Sequence, residues 1–157
     1  MRWIALPLVA LMATTGCGPS PEDQAEAQAA AEAQVQDSLM ALASEAFQSA
    51  VFDTVTWEDE QAALDRGKVV YTSSCAVCHG DAGLGDAGAV MAGDTLRPTS
   101  FKEPTWRFAG DLEAIREYVY MGNAHYMPHW GIYEMNGRKL GDKSIDAVAR
   151  YLAAGMQ

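Results

Sequence analysis

The chain has 157 residues, 49% hydrophobic and 20% charged, with 21 acidic against 11 basic residues and a net charge of −10. This length accommodates one small domain with an appendage. The acidity argues against a nucleic-acid partner, which would call for a basic face.

The N-terminus opens Met1-Arg2, followed by an apolar run from Trp3 to Ala13. One positive residue before an apolar stretch too short to span a bilayer reads as a signal peptide over residues 1–16. It ends Thr14-Thr15-Gly16-Cys17, which resembles the bacterial lipoprotein cleavage box, although a leucine is usual where Thr14 stands. The expectation is cleavage before Cys17 and lipidation of its sulfur. The alternative is ordinary cleavage near Ala13 with a soluble product. No later stretch is apolar and long enough to be a membrane span.

Residues 17–60 hold ten acids and no lysine or arginine, and residues 22–36 are almost wholly Glu, Gln, Ala and Asp. That mixture favours helix but offers little core. From Leu39 onward, Leu42, Ala46, Phe47 and Val51 suggest a short amphipathic docking helix within residues 39–56. Residues 17–57 therefore read as an acidic tether, reaching about 35 Å if coiled and about 60 Å if helical. Residues 61–157 carry eleven acids and ten bases, so the charge belongs to the tether and not to the domain expected over residues 58–157. No internal repeat is visible.

Within that domain three helical patterns stand out. The first runs from about Asp59 to Ser74 through Ala62, Ala63, Leu64, Gly67, Val70 and Tyr71. The second starts at Asp111, carries Leu112, Ile115, Tyr118 and Val119, and stops at Gly122, where a helix-ending glycine belongs. The third begins near Gly141-Asp142, with Ile145, Val148, Ala149 and Leu152 at helical spacing. Between Gly80 and Gly110, Gly80, Gly83, Gly85, Gly88 and Gly93 mark loop. No strand pattern competes, and the expected class is all-α.

The first helix runs into Cys75-Ala-Val-Cys78-His79. A C-x-x-C-H run is the attachment signature of c-type haem. Cysteines three apart share one face of a helical turn, so both sulfurs reach the vinyl groups of one porphyrin. His79 then supplies a nitrogen to the iron. Two other readings compete. A zinc site would need His125 and His129 to join Cys75 and Cys78, and leaves His79 without a role. A thioredoxin-like pair would want a strand before the motif, where a helical pattern stands. With Cys17 assigned to lipid and Cys75 and Cys78 to thioethers, no cysteine remains for a disulfide, and the haem replaces that staple.

The sixth coordination position points to Gly122-Asn-Ala-His-Tyr-Met127-Pro-His-Trp-Gly131. Met127 leads: a thioether on a loop restricted by Pro128. It would raise the potential relative to a second histidine and close the iron to substrates. His125, His129, Met121, Met91 and Met135 are rivals. The two histidines are expected at the rim of the haem edge, and Met121 as packing at a helix end. Trp106, Arg107 and Tyr126 are candidates to bind propionates. Pro98 or Pro104 is a candidate to accept a hydrogen bond from His79.

Taken together, Gly67-Lys68-x-x-Tyr71, Cys75-Ala-x-Cys-His79-Gly80, Met127-Pro-x-Trp-Gly131 and Ile145-x-x-Val148-x-x-Tyr151-Leu152 resemble a class I monohaem cytochrome c. The likeness covers about residues 60–155 and is closest to the mono- and dihaem variants. It implies helices around one covalently attached haem c, with His79 and Met127 as axial ligands and Gly67 packed against Tyr151. One departure is His129, where alanine is common.

The function this implies is a one-electron carrier, anchored by Cys17 at the periplasmic, extracytoplasmic face. It would pass electrons between respiratory or photosynthetic chain components, with redox proteins as partners and no small-molecule substrate. The alternatives are a fixed subunit of a larger respiratory complex and, from a different class, a gas sensor or peroxidase. A dihaem peroxidase needs a second C-x-x-C-H, and the sequence contains one.

Overall fold

A computed structural model describes residues 18–91, 93–123, 126–132 and 139–157. The expected signal peptide and the candidates Cys17, His125 and Met135 lie outside the described residues.

Helix α1 spans Pro21–Ala46. Its start is built by a capping box: the Ser20 hydroxyl accepts from the Asp23 backbone N–H at 3.1 Å, and the Asp23 carboxylate accepts from the Ser20 N–H at 2.9 Å. Pro21 at the first helical position adds the φ preference of a helix start. The Ala, Glu and Gln content sustains the exposed first half through intrinsic propensity. From Gln36 the helix gains tertiary contact. Gln36, Leu39, Met40 and Ala43 turn inward, and Phe47, just past the helix end, packs edge-on against Tyr120 at 5.3 Å.

This differs from the sequence expectation in two respects. The helix begins at Pro21, not near Leu39, and its packed face runs through Ala43, which is 0% exposed, while Leu42 is 56% exposed. A 3₁₀ turn follows over Ser49–Thr54 and places Phe52 in the core. Packing therefore extends well upstream of residue 57. The face is hard to read in sequence because one member, Gln36, is polar and another, Ala43, is small.

Helix α2 (Glu60–Val70) is capped by the Asp59 carboxylate, which accepts from the Ala62 N–H at 2.8 Å. The chain continues without a break through one π-helical turn (Tyr71–Cys75) into the short α3 (Ala76–His79). Gly80 ends this run at φ +79°. The loop after it contains a two-stranded antiparallel pair, β1 (Val90–Met91) and β2 (Asp94–Thr95), in register Val90↔Thr95. No alternation that short is visible in sequence. Helix α4 (Leu112–Met121) starts at an Asp111 cap and ends at Gly122, φ +65°; α5 (Asp142–Ala153) closes the domain. The described residues are otherwise helix and loop, the small all-α cytochrome c architecture.

The core is Val70, Tyr71, Ala76, Ile115, Val119, Ile145, Val148 and Leu152, with Phe52 and Trp130 at its edges. At its centre α2 and α5 cross at Gly67. A Cβ there would lie 2.2 Å from the Ala147 carbonyl oxygen and 2.6 Å from Tyr151 Cβ. This is the Gly67–Tyr151 contact that the family resemblance implies.

A buried ionic hub ties the remaining elements together. Asp146 on α5 is 0% exposed. It accepts from Trp57 Nε1 at 2.6 Å, from Arg150 Nε at 2.8 Å and from Arg116 Nε at 2.8 Å, with a second bond from Arg116 Nη2. Burial alone would push this carboxyl up, but the hydrogen bonds from Trp57, Arg150 and Arg116 and the Arg116 charge outweigh it and hold it below the usual carboxylate range.

Gly67→Ala should lower the unfolding free energy by about 2–3 kcal/mol, since the colliding atom is backbone and cannot rotate away. Denaturant midpoints check it. Asp146→Asn should cost about 3 kcal/mol at pH 7, because two arginines lose their buried counter-charge. The folded-state pKa is depressed, so the stabilisation is complete above the unfolded value of about 3.9 and fades as pH falls through the folded one. The gap between wild type and variant, measured by denaturation at several pH values, should therefore be flat above about pH 5 and narrow below about pH 4.

Candidate haem site

The π-helical turn and α3 deliver Cys75, Cys78 and His79 to one cleft of about 690 Å³, which Met127 also lines. That volume falls within the roughly 300–1,000 Å³ of small-molecule and cofactor pockets. His79 and Met127 also share a small apolar cavity behind it, walled by Phe101, Trp106, Phe108 and Leu152. Pi-helical turns inside α-helices recur at functional sites. Here the turn runs into the motif and ends on Cys75.

His79 is held by aromatic contact and by backbone. Its ring stacks on Phe101 at 4.7 Å and 21°. The carbonyl of the next residue, Gly80, accepts from the buried Tyr71 hydroxyl at 2.6 Å. Burial pushes the imidazole pKa down to about 4, so the ring is neutral at pH 7 and keeps a lone pair for a metal. Its Nδ1 is buried with no hydrogen-bond partner. Pro98 lines the cleft while Pro104 is exposed, but neither carbonyl receives a hydrogen bond from His79.

The cysteines are both free thiols. Burial, followed by the nearby Cys78, pushes Cys75 up to about 12, and burial also raises Cys78. A redox-active pair is activated in the opposite direction, toward thiolate. Among the described residues no cluster of three or more His, Cys, Asp or Glu is arranged to hold a metal ion.

Met127 is half-buried against the core. Asn123 brackets it from both sides. The Asn123 side-chain oxygen accepts from the Met127 N–H at 3.2 Å, while the Asn123 backbone N–H donates to the Met127 carbonyl at 3.1 Å. The Asn123 amide in turn donates to the Tyr118 hydroxyl at 3.0 Å. Gly122 allows the loop to close over the end of α4, since a Cβ there would meet the Pro128 and Met127 carbonyl oxygens at 2.5 and 2.6 Å. Asn123 escaped the sequence reading; the available signal was a residue with strong turn preference directly after a helix-ending glycine.

The rival ligands among the described residues fall elsewhere. His129 is 3% exposed and does not line the cleft, so it is not the rim residue expected from the sequence. Its ring nitrogens are engaged by the Met121 carbonyl and by Gln36. Met121 and Met91 do not reach the cleft either. Trp106, Arg107 and Tyr126 do line it, as does Arg97, which the sequence reading passed over. The Arg107 guanidinium lies over the Phe108 ring at 4.4 Å. The neutral imidazole with its unpartnered nitrogen, the protonated thiols, the thioether and the aromatic walls fit a flat, covalently held haem.

Comparison with known proteins gives the same answer. The family model for subunit III of cbb3-type cytochrome c oxidase matches residues 62–152. The chain is similar to the cbb3-type cytochrome c oxidase subunit CcoP of Azospirillum sp. (strain B510), with 34% identity over 87 residues, 55% of this chain and 27% of that protein. The CcoP of Azospirillum brasilense is 28% identical over 93 residues, 59% of this chain and 28% of its own length. That of Cereibacter sphaeroides is 29% identical over 101 residues, 62% and 30% respectively. The chain thus spans less than a third of the length of these relatives. No solved structure matches. With the α2–α5 crossing, the C-x-x-C-H helix and the methionine loop all inside the matched region, the chain belongs to the cytochrome c family of cbb3-type oxidase subunit III.

Proposed function

We propose that the chain is a one-electron carrier with a single c-type haem, held by thioether bonds at Cys75 and Cys78 and ligated by His79 and Met127. The observation that carries this is the convergence of those four side chains on one cleft. Each thiol adds its S–H across a vinyl group with nothing lost. When bound, the haem supplies reversible one-electron chemistry at iron. The protein's part is to position and to insulate. Burial keeps His79 neutral and able to ligate, Asn123 fixes the Met127 backbone, and Phe101, Trp106 and Phe108 exclude water from the inner cavity. Arg97 and Arg107 on the cleft lining suit the propionates.

Two features bear on how the carrier works. The relatives are named as subunits of cbb3-type cytochrome c oxidases, which supports a respiratory complex as redox partner. The segment expected to dock on a neighbour lies instead against this chain's own α4, through Ala43 and Phe47. That favours a carrier that meets its partners over a subunit fixed through residues 39–56. Lipidation at Cys17 would anchor the domain at the periplasmic face. The exposed half of α1 would then act as a stiff spacer of about 22 Å for fifteen residues. No helix of the described residues is long and apolar enough to cross a membrane.

Reduced and oxidised spectra should be six-coordinate and low-spin, with the far-red iron–sulfur band in the oxidised one. Carbon monoxide binding by the reduced wild type would sink the carrier reading. Met127→Ala should keep the haem attached, abolish the far-red band and lower the potential by on the order of 0.2 V, inside the roughly 0.8 V range that axial ligands command. Cys17→Ser should move the protein from the membrane to the soluble fraction; continued membrane association would point to a protein partner as the anchor.

A further inference from the structure

The loop carrying Met127 is supported from outside as well as from Asn123. Its next-but-one residue, His129, is buried and bridges two elements. The imidazole Nδ1–H donates to the Met121 carbonyl at the end of α4, at 2.5 Å, and Nε2 pairs at 3.1 Å with the Gln36 side-chain amide on α1, accepting from its NH2 with the amide turned nitrogen-first toward the ring. Eleven residues further along the chain a second strut reaches the same loop. Phe47 packs on Tyr120 at 5.3 Å, and the Tyr120 ring closes over Gly131, where a Cβ would lie 2.2 Å from Tyr120 Cδ2. The Gly131 N–H also donates to the Tyr120 carbonyl at 3.0 Å. The loop just after Met127 is thus braced at two residues, His129 and Gly131, which α1 and its C-terminal extension hold against α4.

We propose that α1 is a buttress for the methionine ligand, with His129 and Gln36 as positioning residues that hold Met127 in place through the loop. The physical reason is loop entropy. A ligand on an irregular segment stays bound only as tightly as the segment is held, and unbraced loop residues each regain conformational freedom when the sulfur leaves. His129 removes that freedom because both ring nitrogens are engaged on elements outside the loop. Gln36 acts through His129 alone, so its effect should vanish once the imidazole is gone. This rests on Met127 being the axial ligand, and the test separates the two.

The experiment uses the full-length haem-loaded protein and imidazole as a probe that displaces a loosely held sulfur. The measurements are its binding constant, followed by loss of the far-red band, and the haem reduction potential. Gln36→Ala should bind imidazole about fivefold more tightly, the equilibrium worth of one buried hydrogen bond. His129→Ala should increase binding by tenfold or more and lower the potential. The double variant should match His129→Ala, and His129→Gln, which keeps a donor and an acceptor, should recover part of the loss. Thermal unfolding read by far-ultraviolet dichroism separates ligand loosening from global weakening. Wild-type imidazole affinity in both single variants, or additive effects in the double, overturns the buttress. An unchanged far-red band in Met127→Ala overturns the ligand assignment instead, whatever the Gln36 result.

Discussion

Helices α2 and α5 approach until the Ala147 carbonyl occupies the space a side chain at position 67 would need. Only glycine permits this, and the consequences run directly to the haem motif. The close crossing puts Tyr71, at the end of α2, beside Tyr151 on α5 with ring centroids 5.9 Å apart. The Tyr71 hydroxyl is then in place to donate to the Gly80 carbonyl, which fixes the turn that His79 closes. A packing constraint twelve residues upstream thereby sets the backbone on which the proposed iron ligand stands. Sidestepping it would displace both cysteines as well, because α2, the π-helical turn and α3 form one uninterrupted run.

The methionine side of the cleft depends on α5 less directly. Helix α4 is tied to it by apolar contact through Ile115 and Val119 and by the Arg116–Asp146 pair. The hydrogen bond from Trp57 to the same carboxylate brings in the segment before α2. A buried ion pair is weak evidence of net stabilisation, since desolvation offsets much of the attraction. Its value here is geometric. One carboxylate with four directed donors fixes the relative placement of α4, α5 and the N-terminal extension, and α4 ends where the Met127 loop begins.

What the sequence disclosed follows from what is local. The caps at Asp59 and Asp111, the stop at Gly122, the periodicity of α5 and the spacing of Cys75, Cys78 and His79 are all written within a turn or two of chain. The place of Met127 on the loop after α4 is likewise local, read from Gly122 before it and from Pro128, Trp130 and Gly131 after it. The elements that escaped are those decided by tertiary contact. Asp146 reads as an ordinary surface acid until Trp57, Arg116 and Arg150, drawn from 89 to 4 residues away, converge on it. His129 reads as a rim residue until Gln36, 93 residues distant, accounts for its second nitrogen. Helix α1 reads as a free tether because its composition is that of one. Its docking rests on a stripe in which alanine and glutamine do work that hydrophobicity scales assign to larger residues.

The segregation of charge bears on the potential such a site would set. The acids that dominate the chain's net charge lie mostly on α1, whose first half is fully in water. There, salt screens them over roughly 8–10 Å. The cleft itself offers a neutral imidazole, the uncharged sulfurs of Cys75, Cys78 and Met127 and aromatic walls, with Arg97 and Arg107 as the cations on its lining. An interior of that kind penalises added positive charge, so on the proposed ligand set it favours the reduced iron, in the same direction as methionine ligation. A strongly negative total charge would suggest the reverse. That effect is weakened, because Glu22, Asp23, Glu26 and Glu32 stand on the exposed half of α1, where water and salt screen them.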